Sequence, residues 1–153
     1  MKICILGGTG FVGRSLISAL SKENYTITVI TRDFDKNKDL AIYPNLKLIQ
    51  EDVYNEKRML EVSKSHDVLI NLIGILNEKG FRGKGFYLAH SKIARIILNV
   101  CKQNRIKRIL HMSALNADPG GSSHYLRTKG EAESFLHTYC LLYTSDAADD
   151  RDS

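Results

Sequence analysis

The 153-residue sequence predicts an α/β protein in which a parallel sheet is wound on both faces by helices. Three observations predict it. Short apolar, β-branched runs alternate with segments of helical periodicity from Lys2 to about Tyr139. A cluster of glycines joins the first apolar run directly to the first helical one. Val68–Ile75 is apolar apart from Asn71 and Gly74, as a strand covered on both faces requires.

The elements follow in order. Lys2–Leu6 is an apolar strand. In Phe11–Leu20, Phe11, Val12, Leu16, Ile17 and Leu20 recur at helical spacing. Thr26–Thr31 is β-branched throughout and predicts the second strand, and Leu46–Ile49 a short third. Asn55–Lys64 predicts a short helix with Asn55 as its N-cap. Val68–Ile75 is the fourth strand. Phe86–Gln103 is a helix whose apolar face carries Ile93, Ile96, Ile97 and Val100. Ile106–Met112 is the fifth strand, and Asp118-Pro119-Gly120-Gly121 breaks the chain before a helix capped by Ser122 or Ser123 and ending near Tyr139. Right-handed crossovers bring the carboxyl ends of all five strands to one edge, where ligands of such sheets bind. Gly80–Gly85 reads as a mobile loop at that edge. It is not a phosphate loop, since no Ser or Thr follows Lys84.

Composition is that of an ordinary soluble domain, 43% hydrophobic and 25% charged. Cys4, Cys101 and Cys140 have no paired spacing and no His/Cys set has metal-ligand spacing, so neither a disulfide nor a metal site is predicted. No run is long enough to span a bilayer. The first strand starts at Lys2, so no targeting segment is expected and a cytoplasmic location is. The formal charge is +5, although the last ten residues hold four aspartates and one arginine. That excess suits an anionic ligand, an acidic partner or a membrane surface. The Lys and Arg are scattered without aromatic interleaving, and no nucleic-acid partner is predicted.

The chemistry concentrates at a few positions. Gly7-Gly8-Thr9-Gly10-Phe11-Val12-Gly13 lies between strand and helix with spacing Gly-x-x-Gly-x-x-Gly. Gly7 allows a tight turn, Gly10 lets a pyrophosphate approach the backbone, and Gly13 lets the helix pack close. The helix start adds free N–H groups and the positive dipole end. The cofactor predicted is a nicotinamide dinucleotide on a Rossmann-like sheet. The second strand ends Thr31-Arg32-Asp33. A 2′-phosphate calls for a cation there and a 2′-hydroxyl for a carboxylate. Arg32 comes first and favours NADP(H) over NAD(H); Asp33, one residue on, argues the other way. Asp52, after the third strand, suits the adenine amino group. Gly74 would admit the dinucleotide to the backbone. Asn71, inside an apolar strand, is either a cofactor contact or a structural residue whose amide needs partners.

Tyr125-Leu126-Arg127-Thr128-Lys129 puts a phenol and an ammonium on one helix face, where the cation favours the ionised phenol as acid–base catalysis needs. Ser113, at the end of the fifth strand, is placed to hydrogen-bond a substrate carbonyl. Tyr43 and Lys47 have the same spacing, but Pro44 and a following strand exclude a helix there.

Together these residues resemble the extended and atypical short-chain dehydrogenase/reductases, the NAD-dependent epimerase/dehydratase superfamily. Asn71-Leu72-Ile73-Gly74-Ile75-Leu76, His90, the stretch His111–Pro119 and Tyr125–Glu133 are similar to one atypical branch, which holds the nicotinamide-binding accessory subunit of respiratory complex I and its bacterial relatives. The resemblance implies a bound NADP(H), with Ser113, Tyr125 and Lys129 on the superfamily's catalytic positions. His90 stands where many extended members have asparagine. The branch includes members thought to bind cofactor without turnover, so two functions are expected: carbonyl chemistry of the oxidoreductase or epimerase type, or a non-catalytic subunit held peripherally at an inner-membrane complex. The resemblance also implies a C-terminally truncated chain lacking the last strands and the substrate region, with a Rossmann domain over 1–139. The polar, aperiodic stretch 140–153 is expected to be a non-native or disordered tail, and the fifth strand then a free edge.

Overall fold

The computed structural model describes residues 1–75 and 83–139. Five strands, β1 (Lys2–Leu6), β2 (Thr26–Thr31), β3 (Leu46–Gln50), β4 (Val68–Asn71) and β5 (Arg108–His111), form one parallel sheet in the order β3-β2-β1-β4-β5. The strand order reverses at β1, so the crevice of this sheet opens above the carboxyl ends of β1 and β4.

Residues along β1 alternate between two cores. Ile3 and Ile5 meet Ile17, Ile27 and Val29 under helix α1 (Phe11–Leu20). Cys4 and Leu6 meet Leu69, Ile97 and Ile109 on the other face. That second face is covered by α3 (Glu56–Val62), α5 (Ile93–Asn104) and α6 (His124–Tyr139). Burial pushes the Cys4 thiol up to about 12, which leaves it an inert core group.

Several boundaries differ from expectation. α1 buries Gly13 and Ile17, but Phe11 is 89% exposed and Val12 43%. Both lie in the first turn of α1, which follows the carboxyl end of β1, so the helical period there runs ahead of the stretch that the described residues bury. After β2 the chain forms a short helix α2 (Phe34–Asn37) and a 3-10 turn at Lys38–Ile42, both too short to leave a periodic signal. β4 ends at Asn71, because Leu72 and Ile73 have turned off toward the crevice.

The long helix starts earlier than expected and is not uniform. Gly83, with φ +76, leads into α4 (Lys84–Phe86), followed by a π-helical stretch at Tyr87–Lys92 and then α5. The wider π turn brings two consecutive residues, His90 and Ser91, inside together, both bonded to α6. Half of the predicted Gly80–Gly85 loop, residues 80–82, and all of the 140–153 tail lie outside the described residues, whereas Lys84 and Gly85 are helical. Among the described residues β5 pairs only with β4.

Candidate functional site

The glycine turn sits at the crevice. Gly7 has φ +76, and a Cβ there would stand 2.7 Å from the Leu72 carbonyl carbon, so the turn needs glycine for conformation and for room. A Cβ on Gly13 would lie 2.4 Å from the Gly8 carbonyl oxygen, which shows that this glycine lets α1 close onto its own entry turn rather than onto the sheet. Gly10 is different: the nearest atom to an added Cβ is 3.7 Å away. Gly10 is also the N-cap of α1, with no side-chain hydrogen bond at the cap. Open space therefore lies over a helix start whose amides no side chain caps, as a phosphate cradle requires.

Two adjoining clefts extend from this turn. One, of about 370 Å³, runs from Gly7, Thr9 and Gly10 to Tyr54 and Gly74. The other, of about 340 Å³, is lined by Arg32, Gln50, Glu51 and Asp52. Arg32 borders both. The carboxylate of Asp33 points to other work: its Oδ1 accepts the Lys36 N–H at 3.1 Å and caps α2. Asp52 is exposed at the second cleft, and its Oδ1 accepts the Tyr54 N–H at 2.9 Å. A dinucleotide fits this donor set: amides at the turn, a cation and a carboxylate beyond β2 and β3.

Asn71 is fully buried. Its Oδ1 accepts the Ile73 N–H at 3.1 Å, which fixes the amide so that Nδ2 donates to His111 Nδ1 at 3.0 Å. The two residues are register partners on β4 and β5. Burial, with the Lys129 and His90 charges behind it, lowers His111 to about 3. His111 Nε2 and Ser113 Oγ are buried and have no hydrogen-bond partner among the described residues.

Across the crevice, Lys129 is 5% exposed. Its Nζ donates to the Met112 carbonyl at 3.3 Å and lies 2.9 Å from where a Gly74 Cβ would be. Burial pulls its pKa down, against Glu133 holding it up. Tyr125, one helical turn earlier, meets the His90 ring edge-on at 5.4 Å and the Phe86 ring at 5.7 Å. His90 is lowered to about 4, by burial first and by the Lys129 charge second. Ser123 Oγ accepts the Leu126 N–H at 3.1 Å at the start of α6, which selects it over Ser122 as the capping side chain. Tyr43 and Lys47 lie on a 3-10 exit and on β3, away from any shared helix face.

Gly7, Gly10, Arg32 and Gly74 thus line one cleft and Asp52 the adjoining one, Lys129 reaches Gly74 from α6, and Tyr125 packs on His90 and Phe86 one turn earlier. The sequence reading missed Arg14, whose guanidinium bonds Thr9, Asn37 and Asp39, and Gly130, where a Cβ would stand 2.3 Å from Asp118. A basic residue directly after the glycine motif was the available signal for Arg14. Among the described residues there is no cluster suited to a metal ion, and no helix long and apolar enough to cross a membrane.

A parallel sheet with its crevice at a glycine-capped helix start defines a Rossmann-type dinucleotide-binding protein. The chain belongs to the NAD(P)H-binding family whose pattern matches residues 7–145. The mitochondrial NADH-ubiquinone oxidoreductase 40 kDa subunit of Neurospora crassa is 26% identical over 137 residues, covering 88% of this chain and 36% of that protein. The mitochondrial NADH dehydrogenase [ubiquinone] 1 alpha subcomplex subunit 9 of Arabidopsis thaliana is 31% identical over 134 residues, 84% of this chain and 33% of its own. The chain therefore spans about a third of the length of these relatives. Its fold matches the UDP-Glc/GlcNAc 4-epimerase of Campylobacter jejuni with a TM-score of 0.81 at 17% identity, over 92% of this chain and 49% of the epimerase.

Proposed function

We propose that residues 1–139 are the dinucleotide-binding unit of an NADP(H)-dependent oxidoreductase or epimerase that acts on a carbonyl group. One observation carries this reading: the Lys129 ammonium is buried against Gly74 and the Met112 carbonyl, one helical turn from Tyr125, at the rim that the glycine turn also borders.

In this reading the pyrophosphate is held by Thr9 and by the backbone of Gly7, Gly10, Phe11, Val12 and Gly13. Arg32 receives the 2′-phosphate. The use of the Asp33 carboxylate as a helix cap supports a phosphate over a hydroxyl at that position. Asp52 accepts from the adenine amino group through the oxygen that Tyr54 leaves free. Gly74 gives the backbone close access, and Asn71 works as a strut beneath it.

A nicotinamide held here would supply or accept a hydride. Tyr125 holds the proton exchanged with the carbonyl oxygen. Lys129 brings positive charge to the same face and would hold the nicotinamide ribose. Ser113 orients the carbonyl through an Oγ that has no partner among the described residues. The test is dinucleotide turnover by the full-length protein over carbonyl compounds and sugar nucleotides. Tyr125→Phe is expected to lose about 10²–10⁴-fold in rate while NADPH affinity holds. Equal rates in the two proteins reject the reading. Titration of NADPH against NADH tests the cofactor preference.

The likeness to the complex I subunits favours a second reading, a non-catalytic NADP(H)-binding accessory subunit at the periphery of a membrane-associated respiratory assembly. It requires retention of dinucleotide without turnover and co-migration with that assembly on native gels. A protein that migrates freely, from a cytoplasmic fraction, argues against it.

A further inference from the structure

Arg14 joins two loops that the proposed cofactor would touch at different points. Its Nε donates to the Thr9 carbonyl at 3.0 Å, inside the glycine turn. Its Nη2 donates to Asn37 Oδ1 at 2.9 Å, and its Nη1 to Asp39 Oδ2 at 2.6 Å. Asn37 carries the connection onward. Its Nδ2 donates to the Asp33 carbonyl at 2.8 Å and to Thr31 Oγ1 at 3.2 Å, and Thr31 Oγ1 also accepts the Asp33 N–H at 3.2 Å. A continuous set of hydrogen bonds thus runs from the glycine turn to the two residues that flank Arg32. The Phe34 N–H, on Gln50 Oε1 at 2.8 Å, ties the same loop to β3.

Stability is a poor explanation for this set. Arg14 and Asp39 are 37% and 63% exposed at the side chain, and an ion pair that open contributes little. Geometry is the better one. The planar guanidinium holds three acceptors in a fixed fork, which a lysine could not do. A loop ordered before binding spares the ligand the cost of ordering it.

We propose that Arg14 and Asn37 are positioning residues for cofactor choice: a brace that fixes the Arg32 loop at a set distance from the glycine turn, so that discrimination between a 2′-phosphate and a 2′-hydroxyl depends on side chains that touch neither. The proposal rests on the reading of Arg32 as the 2′-phosphate partner. The brace requires Arg14 to keep these acceptors with the dinucleotide bound; its charge already faces Asp39, which it holds below the usual carboxylate range.

The test is calorimetric titration of the full-length protein with NADPH and with NADH, for wild type, Arg14→Ala, Arg32→Ala, Asn37→Ala, Asp39→Asn and the Arg32→Ala/Asn37→Ala double variant. Asn37→Ala should lower the NADPH-to-NADH affinity ratio about tenfold, with NADH affinity within twofold and the unfolding temperature unchanged. Asp39→Asn, at an exposed position, should lower the ratio in the same direction by less. The double variant should be little worse than Arg32→Ala alone, because the brace acts only through Arg32. A purely structural role would weaken both dinucleotides together, and that result overturns the proposal. So does a wild-type ratio in Asn37→Ala beside a full Arg32→Ala effect, or a ratio that falls in Arg14→Ala but not in Asn37→Ala, which would make Arg14 itself the ligand. An unchanged ratio in Arg32→Ala instead removes the 2′-phosphate reading, and the brace with it.

Discussion

His90 accepts the backbone N–H of Ile75 on its Nε2 at 3.1 Å, so the proton of the neutral ring sits on Nδ1 and is donated to Thr128 Oγ1 at 3.0 Å. Thr128 in turn donates to the His124 carbonyl at 2.8 Å. The imidazole therefore pins the segment leaving β4 to the helix that carries Tyr125 and Lys129. Both ring nitrogens are committed to this task, while the ring stacks on Phe86 and meets Tyr125 edge-on.

The commitment has a pH signature. His90 is held near 4 in the fold, below its ordinary value of 6.5, by burial and by the Lys129 ammonium. The unfolded chain thus takes up a proton before the native state does, and stability falls as pH drops from about 6.5 toward 4. His111, lowered to about 3, and His66, also lowered by burial, add in the same direction. Thermal unfolding followed across that window should show the decline in wild type. His90→Gln, which cannot titrate, should start lower at pH 7 and decline less. An equal slope in both proteins would remove His90 from the account.

The glycines of the turn separate folding from binding. Gly10→Ala meets no atom within 3.7 Å, so its stability should stay within about 0.5 kcal/mol of wild type. Its methyl stands in the open space over the helix start, and NADPH affinity should drop at least tenfold. Gly13→Ala drives a Cβ to 2.4 Å from a backbone oxygen that cannot swing away, and should cost about 1–3 kcal/mol despite the better helix propensity of alanine. Chemical denaturation and dinucleotide titration of the two variants check both halves.

Gly74→Ala probes the same rim from the other side. The added methyl meets the end of the Lys129 side chain, which is flexible, so the fold should survive with a small change in unfolding temperature. Displacing the ammonium from the Met112 carbonyl should lower any turnover more than Lys129→Arg does, and weaken NADPH binding several-fold. Unchanged binding and turnover would mean that Lys129 need not sit where the structure has it.

The sequence carried the sheet and the glycine turn well, for a physical reason. Buried parallel strands and a glycine-dependent turn both depend on local residue type, so KICIL before Gly7 and TITVIT before Arg32 announce themselves. Features set by distant neighbours did not come through. Asp33 has the chemistry of a ribose ligand, and only the short helix α2 reveals that it serves as a cap. The π turn at Tyr87–Lys92 is invisible because its residues also suit an α-helix; contacts with Thr128 and Glu131 account for it. Phe11 obeys the helical period yet faces solvent, since periodicity cannot tell where the sheet beneath it stops.

Asn71 and His111 allow the sharpest test of a buried pair. Asn71→Ala leaves the Ile73 N–H and His111 Nδ1 without their partner and should cost about 1–3 kcal/mol. Asn71→Asp keeps the shape but sets a carboxylate oxygen where the amide donated, and an acceptor facing the ring favours its protonated form. His111 should then titrate well above its wild-type value of about 3, visible as a pH-dependent shift of the imidazole carbon resonances by NMR. A His111 signal that is flat from pH 7 to 4 in both proteins would mean that Asn71 does not face Nδ1, and the strut beneath the crevice would have to be redrawn.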